Sequence, residues 1–119
     1  MEAKNSKPYD LEERTLKFAK EVIGFVNLLP RTLANIEILK QVIKSSGSVG
    51  ANYIEANESL SKKDFAMRIK ICRKEAKESI YWLKLVEVKG EAAEKQRQSL
   101  IKEATELMKI FGAIIEKVK

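Results

Sequence analysis

SSGSVGANYIEANESLSKKDF, residues 45–65, breaks the middle of a chain whose apolar residues otherwise recur at helical spacing. Two glycines, five serines and two asparagines in this stretch are all weak helix formers in a helix interior. The reading that accommodates them is a helix end that packs closely on a neighbour, followed by a strongly signalled helix start. Gly47, Gly50 and Ala51 keep side chains out of one turn, which costs up to about 1 kcal/mol per glycine relative to alanine and is offset by close approach of another helix. Ser61 and Asp64 then form a capping box, because a serine oxygen can accept the orphan amide three residues on. Leu60 has the spacing to staple onto Phe65.

Working outward, the segment after Ser61 has the cleanest period in the chain. Phe65, Ile69, Cys72, Ala76, Ser79, Leu83 and Val86 alternate in steps of four and three, and the helix is expected to end near Gly90 with Lys89 at its carboxyl end. Before the break, a helix starting near Thr32 carries Ile36, Leu39, Ile43, Ser46, Gly50 and Tyr53 on one face, with Val42, Val49 and Ala56 beside it. The first helix opens at Asp10 with Glu13 completing a capping box, runs through Leu11, Thr15, Phe18, Val22, Phe25 and Leu29, and is ended by Pro30. The fourth runs from Glu91 to the C-terminus on Leu100, Ala104, Leu107, Phe111, Ile114 and Val118, flanked by Ile101, Met108 and Ile115. Short connections between long helices predict an all-α, up-down-up-down antiparallel four-helix bundle. Residues 1–119 form one domain, and residues 1–9 are expected to be a flexible tail.

Composition agrees with that architecture. Five glycines and two prolines in 119 residues leave little for sheet turns or long loops, and Lys plus Arg exceed Asp plus Glu by 23 to 17 with no histidine. The net charge of +6 favours acidic partners, and without histidine it is insensitive to titration near neutral pH. Lone Cys72 has no internal disulfide partner and reads as a small packed side chain in a reducing compartment, so a cytoplasmic location is expected. No stretch approaches the roughly 20 apolar residues that span a bilayer, and no membrane partner is expected.

Catalysis is not expected. No histidine is present for acid–base work, there is no glycine-rich phosphate loop, and no cluster has zinc spacing. Glu55 and Glu78 lack the Glu-x-x-His repeats of a di-iron bundle. The expected cofactor and metal content is therefore none.

SVGANYIEA, residues 48–56, then SKKDF at 61–65 and ICRKEAKESIYWL at 71–83, resemble the corresponding segments of the four-helix-bundle family of 23S rRNA intervening-sequence proteins. The first is similar to that family's Ser-Ile-x-x-Asn-Ile-x-Glu-Gly segment. Ala56 stands where the pattern often has glycine, and Glu75 where a small residue is common. The resemblance extends over nearly the whole chain in helix order and length. It implies a bundle with no established catalytic activity. A related branch, the accessory protein of diversity-generating reverse transcriptases, forms a barrel-shaped homopentamer that engages nucleic acid and the polymerase through basic surface. By resemblance the expected partners are further copies of the chain, RNA or DNA, and a protein such as a reverse transcriptase.

Three groups of residues are candidates for function. Lys63, Lys70, Lys77 and Lys84 recur every seven residues, with Arg73 and Lys74 close to their line, so a basic stripe runs along the third helix opposite its seam. Ser48, Asn52 and Glu55 share one face of the second helix and read as an interface or as a solvated polar face. Glu78, between Ile71 and Leu85 at seven-residue spacing, is expected to need a polar partner. Leu16 and Ile23 on the first helix, with Ile71, Trp82 and Leu85 on the third, widen the apolar arcs beyond one core and point to a homo-oligomer. Two functions follow: a ring-like nucleic-acid-binding accessory, or a structural adaptor for another protein whose charge serves solubility.

Overall fold

A computed structural model describes residues 10–119; the tail expected at residues 1–9 lies outside them. Four α-helices follow one another, α1 Leu11–Val26, α2 Leu33–Asn57, α3 Lys62–Leu85 and α4 Glu91–Val118. Each packs on its neighbours in sequence and α4 returns to α1, which closes the expected up-down-up-down bundle.

The helices start where read, although at Asp10 and Ser61 only the cap half of each capping box forms, with no bond back from Glu13 or Asp64 among the described residues. Asp10 accepts from the Glu13 amide at 3.3 Å, Thr32 from Asn35 at 3.1 Å and Ser61 from Asp64 at 3.0 Å. The α3 seam is also as read, with Ile69, Cys72, Ala76, Ser79 and Leu83 buried. Gly50 justifies its place: a Cβ there would sit 2.8 Å from Thr15 Oγ1, so the glycine admits α1.

Several expectations are corrected. Gly47 and Ala51 face solvent, so the close approach is confined to Gly50. Leu60 is 99% exposed and forms no staple with Phe65. On α2 the core line runs through Leu39, Val42, Ser45, Ser46, Val49 and Ala56, whereas Ile36 and Ile43 are exposed. The helix is rotated because α3 presents Ser79, whose hydroxyl donates to Ser45 Oγ at 2.9 Å, and this buried pair has to face inward. In the last turns of α4, Ile115 rather than Ile114 is buried. Helix α1 stops at Val26, four residues short of Pro30, as the amides of Leu28 and Leu29 tighten to i−3 carbonyls.

Helix α3 ends at Leu85, not near Gly90, so Lys89 lies in the connecting loop. Two long-range contacts explain this. Asn35 holds both the N–H and the C=O of Glu87, and Arg97 of α4 donates to the carbonyls of Val86 at 2.7 Å and Lys84 at 3.5 Å. Groups taken by side chains are withdrawn from the next helical turn. Gly90 then turns the chain into α4 at φ +90°, a conformation that favours glycine.

Helices α1 and α4 share the least packed seam. There Arg14 bridges Glu103 at 2.7 Å and Glu106 at 2.8 Å, and these hydrogen bonds hold its guanidinium above its ordinary pKa.

Candidate nucleic-acid interface

The regular seam of α3 dictates where its cations point. With Ile69, Cys72 and Ala76 buried, Lys70, Arg73, Lys74 and Lys77 emerge on the outer and α4-facing sides at 100° per residue. They surround a shallow groove of about 550 Å³ between α3 and α4, with Met108 and Gly112 of α4 as its floor. Gly112 has no side chain to fill the groove, and the Arg73 Cδ lies 3.8 Å from where its Cβ would be. The arginine stem can therefore rest on α4 with its guanidinium at the groove.

Four of the six candidate cations are thus brought together, while Lys63 and Lys84 lie at opposite ends of α3, exposed and outside the groove. Lys74 Nζ is 3.9 Å from a Glu75 oxygen; Lys70, Arg73 and Lys77 form no ion pair among the described residues. Glu75 is turned toward α2 and Lys44. Burial, and then the neighbouring Glu78 carboxylate, raise its pKa above the ordinary glutamate value. Among the described residues no acidic side chain lines the groove, and Glu75 borders it only through Lys74.

Asn52 proves to be a tie between helices. Its Nδ2 donates to the Ser48 carbonyl at 2.9 Å and its Oδ1 accepts from Arg68 of α3 at 2.9 Å. Ser48 and Asn52 are half-buried at that junction, whereas Glu55 is exposed. Glu78 is exposed as well and needs no buried partner, because the line through Ile71 and Leu85 runs along the solvent edge of α3 rather than over the core.

Among the apolar candidates, Leu16 is 54% exposed, Ile23 50% and Leu85 48%. Ile71 and Trp82 are half-buried, and Trp82 packs against the core, with the exposed Tyr81 ring edge-on to it at 5.0 Å. Exposed Ile36, Ile43 and Ile54 share the flank of α2 that faces α1, a flank identified by the Gly50–Thr15 approach and by Asn57 donating to Glu12 at 3.0 Å. They extend the Leu16 and Ile23 surface across two helices.

Sequence reading missed Met108 and Gly112 as groove residues. Antiparallel pairing of α3 with α4 sets Gly112 level with Arg73, and only a register between helices could have revealed it. A second groove of about 480 Å³, between α1 and α4, mixes Arg14, Lys17 and Lys102 with Glu21, Glu103 and Glu106 and has no dominant sign. Among the described residues no three His, Cys, Asp or Glu side chains cluster as a metal site, and no helix is long and apolar enough to cross a membrane.

A family model described as 23S rRNA-intervening sequence protein matches residues 8–113. A crystal structure of a protein of unknown function from the S23 ribosomal protein family of Bacteroides thetaiotaomicron VPI-5482 superposes with a TM-score of 0.76 at 31% identity. That alignment covers 87% of this chain and 96% of the other. No curated protein matches.

Proposed function

The chain belongs to the 23S rRNA-intervening sequence protein family, and on that premise we propose that it is a non-enzymatic, homo-oligomeric bundle that binds nucleic acid through the basic groove between α3 and α4. The observation that carries the reading is the convergence of Lys70, Arg73, Lys74 and Lys77 on one groove that no acidic side chain among the described residues lines. Phosphates entering such a site release condensed counterions, so affinity comes from the backbone and falls steeply with salt.

The apolar surface supports assembly. Leu16, Ile23, Ile36, Ile43 and Ile54 lie where α1 meets α2, and Ile71 and Leu85 lie where α3 meets α2, so the two patches are on different sides of the molecule. Distinct patches suit a head-to-tail contact, which closes into a ring, better than a two-fold dimer in which one patch meets itself. A ring of five is the count implied by the resemblance, and a polymerase such as a reverse transcriptase is the protein partner it implies.

The test is binding of a mixed RNA and DNA pool as a function of salt. Four neutralised phosphates give a log–log slope of about −3 to −4, and Lys70→Glu with Lys77→Glu should remove much of the binding and flatten the slope by about 2 units. Binding that is absent at low salt, or indifferent to salt, would instead favour an adaptor that recognises another protein.

A further inference from the structure

Helix α4 carries a second row of lysines. Lys95, Lys102 and Lys109 recur at seven-residue spacing, all exposed, opposite the buried line of Leu100, Ala104, Leu107 and Phe111. None of the three forms an ion pair among the described residues, although Lys102 also edges the groove with α1. Because Arg97 reaches Val86 and Gly112 abuts Arg73, the antiparallel register sets Lys109 level with Lys77 and Lys102 level with Lys84. The two lysine rows therefore run parallel at matched levels, the α3 row at the groove and the α4 row on the outer crest of α4, where Lys102 borders α1; together they border the outer face of α3 and α4.

We infer that this face takes a nucleic-acid duplex, one backbone on the α3 row and the other on the α4 row. The inference rests on the α3/α4 groove being a nucleic-acid surface at all. Packed helix axes lie about 8–10 Å apart, and outward-splayed lysines widen that spacing. This is the scale of the grooves of a B-form duplex, about 6 Å and 12 Å wide, each bordered by two phosphate rows. A single strand offers only one row and would leave the other unmatched.

The strip between the rows argues the same way. Met108 and Gly112 line it, and Thr105, seven residues before Gly112 on the same line of α4, has its hydroxyl committed to the Ile101 carbonyl at 2.8 Å. No aromatic ring lies on that strip among the described residues; Tyr81 stands in the α3 row itself, one turn beyond Lys77, with its ring edge-on to Trp82. Surfaces that hold single strands generally stack bases on aromatic side chains, whereas a shallow groove bordered by cations and without an aromatic floor reads backbone and shape. The chemistry recognised is paired phosphate rows, which either a DNA or an RNA duplex supplies.

The experiment is fluorescence anisotropy at one fixed low salt with three labelled probes of equal length: a DNA duplex, an RNA duplex and an unstructured single strand. At least one duplex should bind about tenfold more tightly than the single strand, and which one identifies the source. The Lys95→Gln, Lys102→Gln, Lys109→Gln variant should weaken duplex binding by about tenfold or more and flatten its salt slope by about 2 to 3 units. Its single-strand affinity should change far less. A single strand that binds as tightly as either duplex would overturn the inference. So would a triple variant that binds like the parent while Lys70→Glu with Lys77→Glu fails, an outcome that leaves the α3 groove standing. Failure of all three probes to bind would overturn both readings together.

Discussion

The side-chain amide of Asn35 pairs with the backbone of Glu87, accepting its N–H at 2.8 Å and donating to its C=O at 2.9 Å across 52 residues of chain. The same Nδ2 also donates to the Pro30 carbonyl at 2.9 Å. One buried asparagine in the first turn of α2 therefore joins the α1–α2 and α3–α4 connections at one end of the bundle. It also ends α3, since Glu87 cannot both pair with Asn35 and continue the helix.

Replacing Asn35 with alanine would strand the Glu87 N–H and C=O. Loss of the bonds with partial burial of the orphaned groups should cost roughly 2–4 kcal/mol. Urea denaturation should show the loss, and Asn35→Asp should recover little of it, because a carboxylate would face the carbonyls of Pro30 and Glu87.

The two glycines of the opening stretch should respond oppositely. Gly50→Ala places a methyl 2.8 Å from Thr15 Oγ1, and that hydroxyl is anchored to the Leu11 carbonyl at 2.6 Å, so about 1–3 kcal/mol should be lost through overpacking. Gly47→Ala meets nothing within 4 Å and should gain about 0.5–1 kcal/mol from helix propensity. Thermal melts of the two single variants decide this, and equal shifts would contradict the close approach at Gly50.

Cys72 should be chemically silent in the folded protein. It is fully buried, and burial pushes its thiol up to about 12 from an ordinary value of 9.0. A raised pKa means that the fold prefers the protonated thiol. The associated stability is intact below pH 9 and is lost as pH rises from 9 toward 12, where the unfolded chain ionises first. Thiol reagents at pH 8 should react only after denaturant is added. Cys72→Ala should lower stability at neutral pH through its cavity while flattening the alkaline decline.

The apolar patch at α1 and α2 gives a prediction for assembly. Leu16→Lys with Ile23→Lys places charges on two half-exposed positions outside the core, so the fold should persist by circular dichroism while light scattering reports a monomer. A parent protein that is already monomeric would remove the ring from the proposed function.

Some features were legible because their signals are local. Asp10, Thr32 and Ser61 cap helices three residues away, and the four-and-three alternation from Ile69 to Leu83 lies within one helix, so helix number, starts and the α3 core line needed no partner to be read. The lysine spacing on α3 was legible for the same reason.

What the amino-acid order alone determined, then, is four amphipathic helices in an antiparallel bundle, where they begin, and a basic side on α3. Tertiary structure decided what depends on a neighbour's position. It turned Ser45 inward and Ile36 and Ile43 outward, because α3 offers Ser79 at that level. It stopped α3 at Leu85, because Asn35 and Arg97 take its next backbone groups. It left Leu60 in solvent, and it set Gly112 and Met108 beneath the cations of α3. Helix propensity and capping act over three or four residues of the same chain, whereas helix rotation, long-range hydrogen bonds and groove floors are set by which side chains another helix brings alongside.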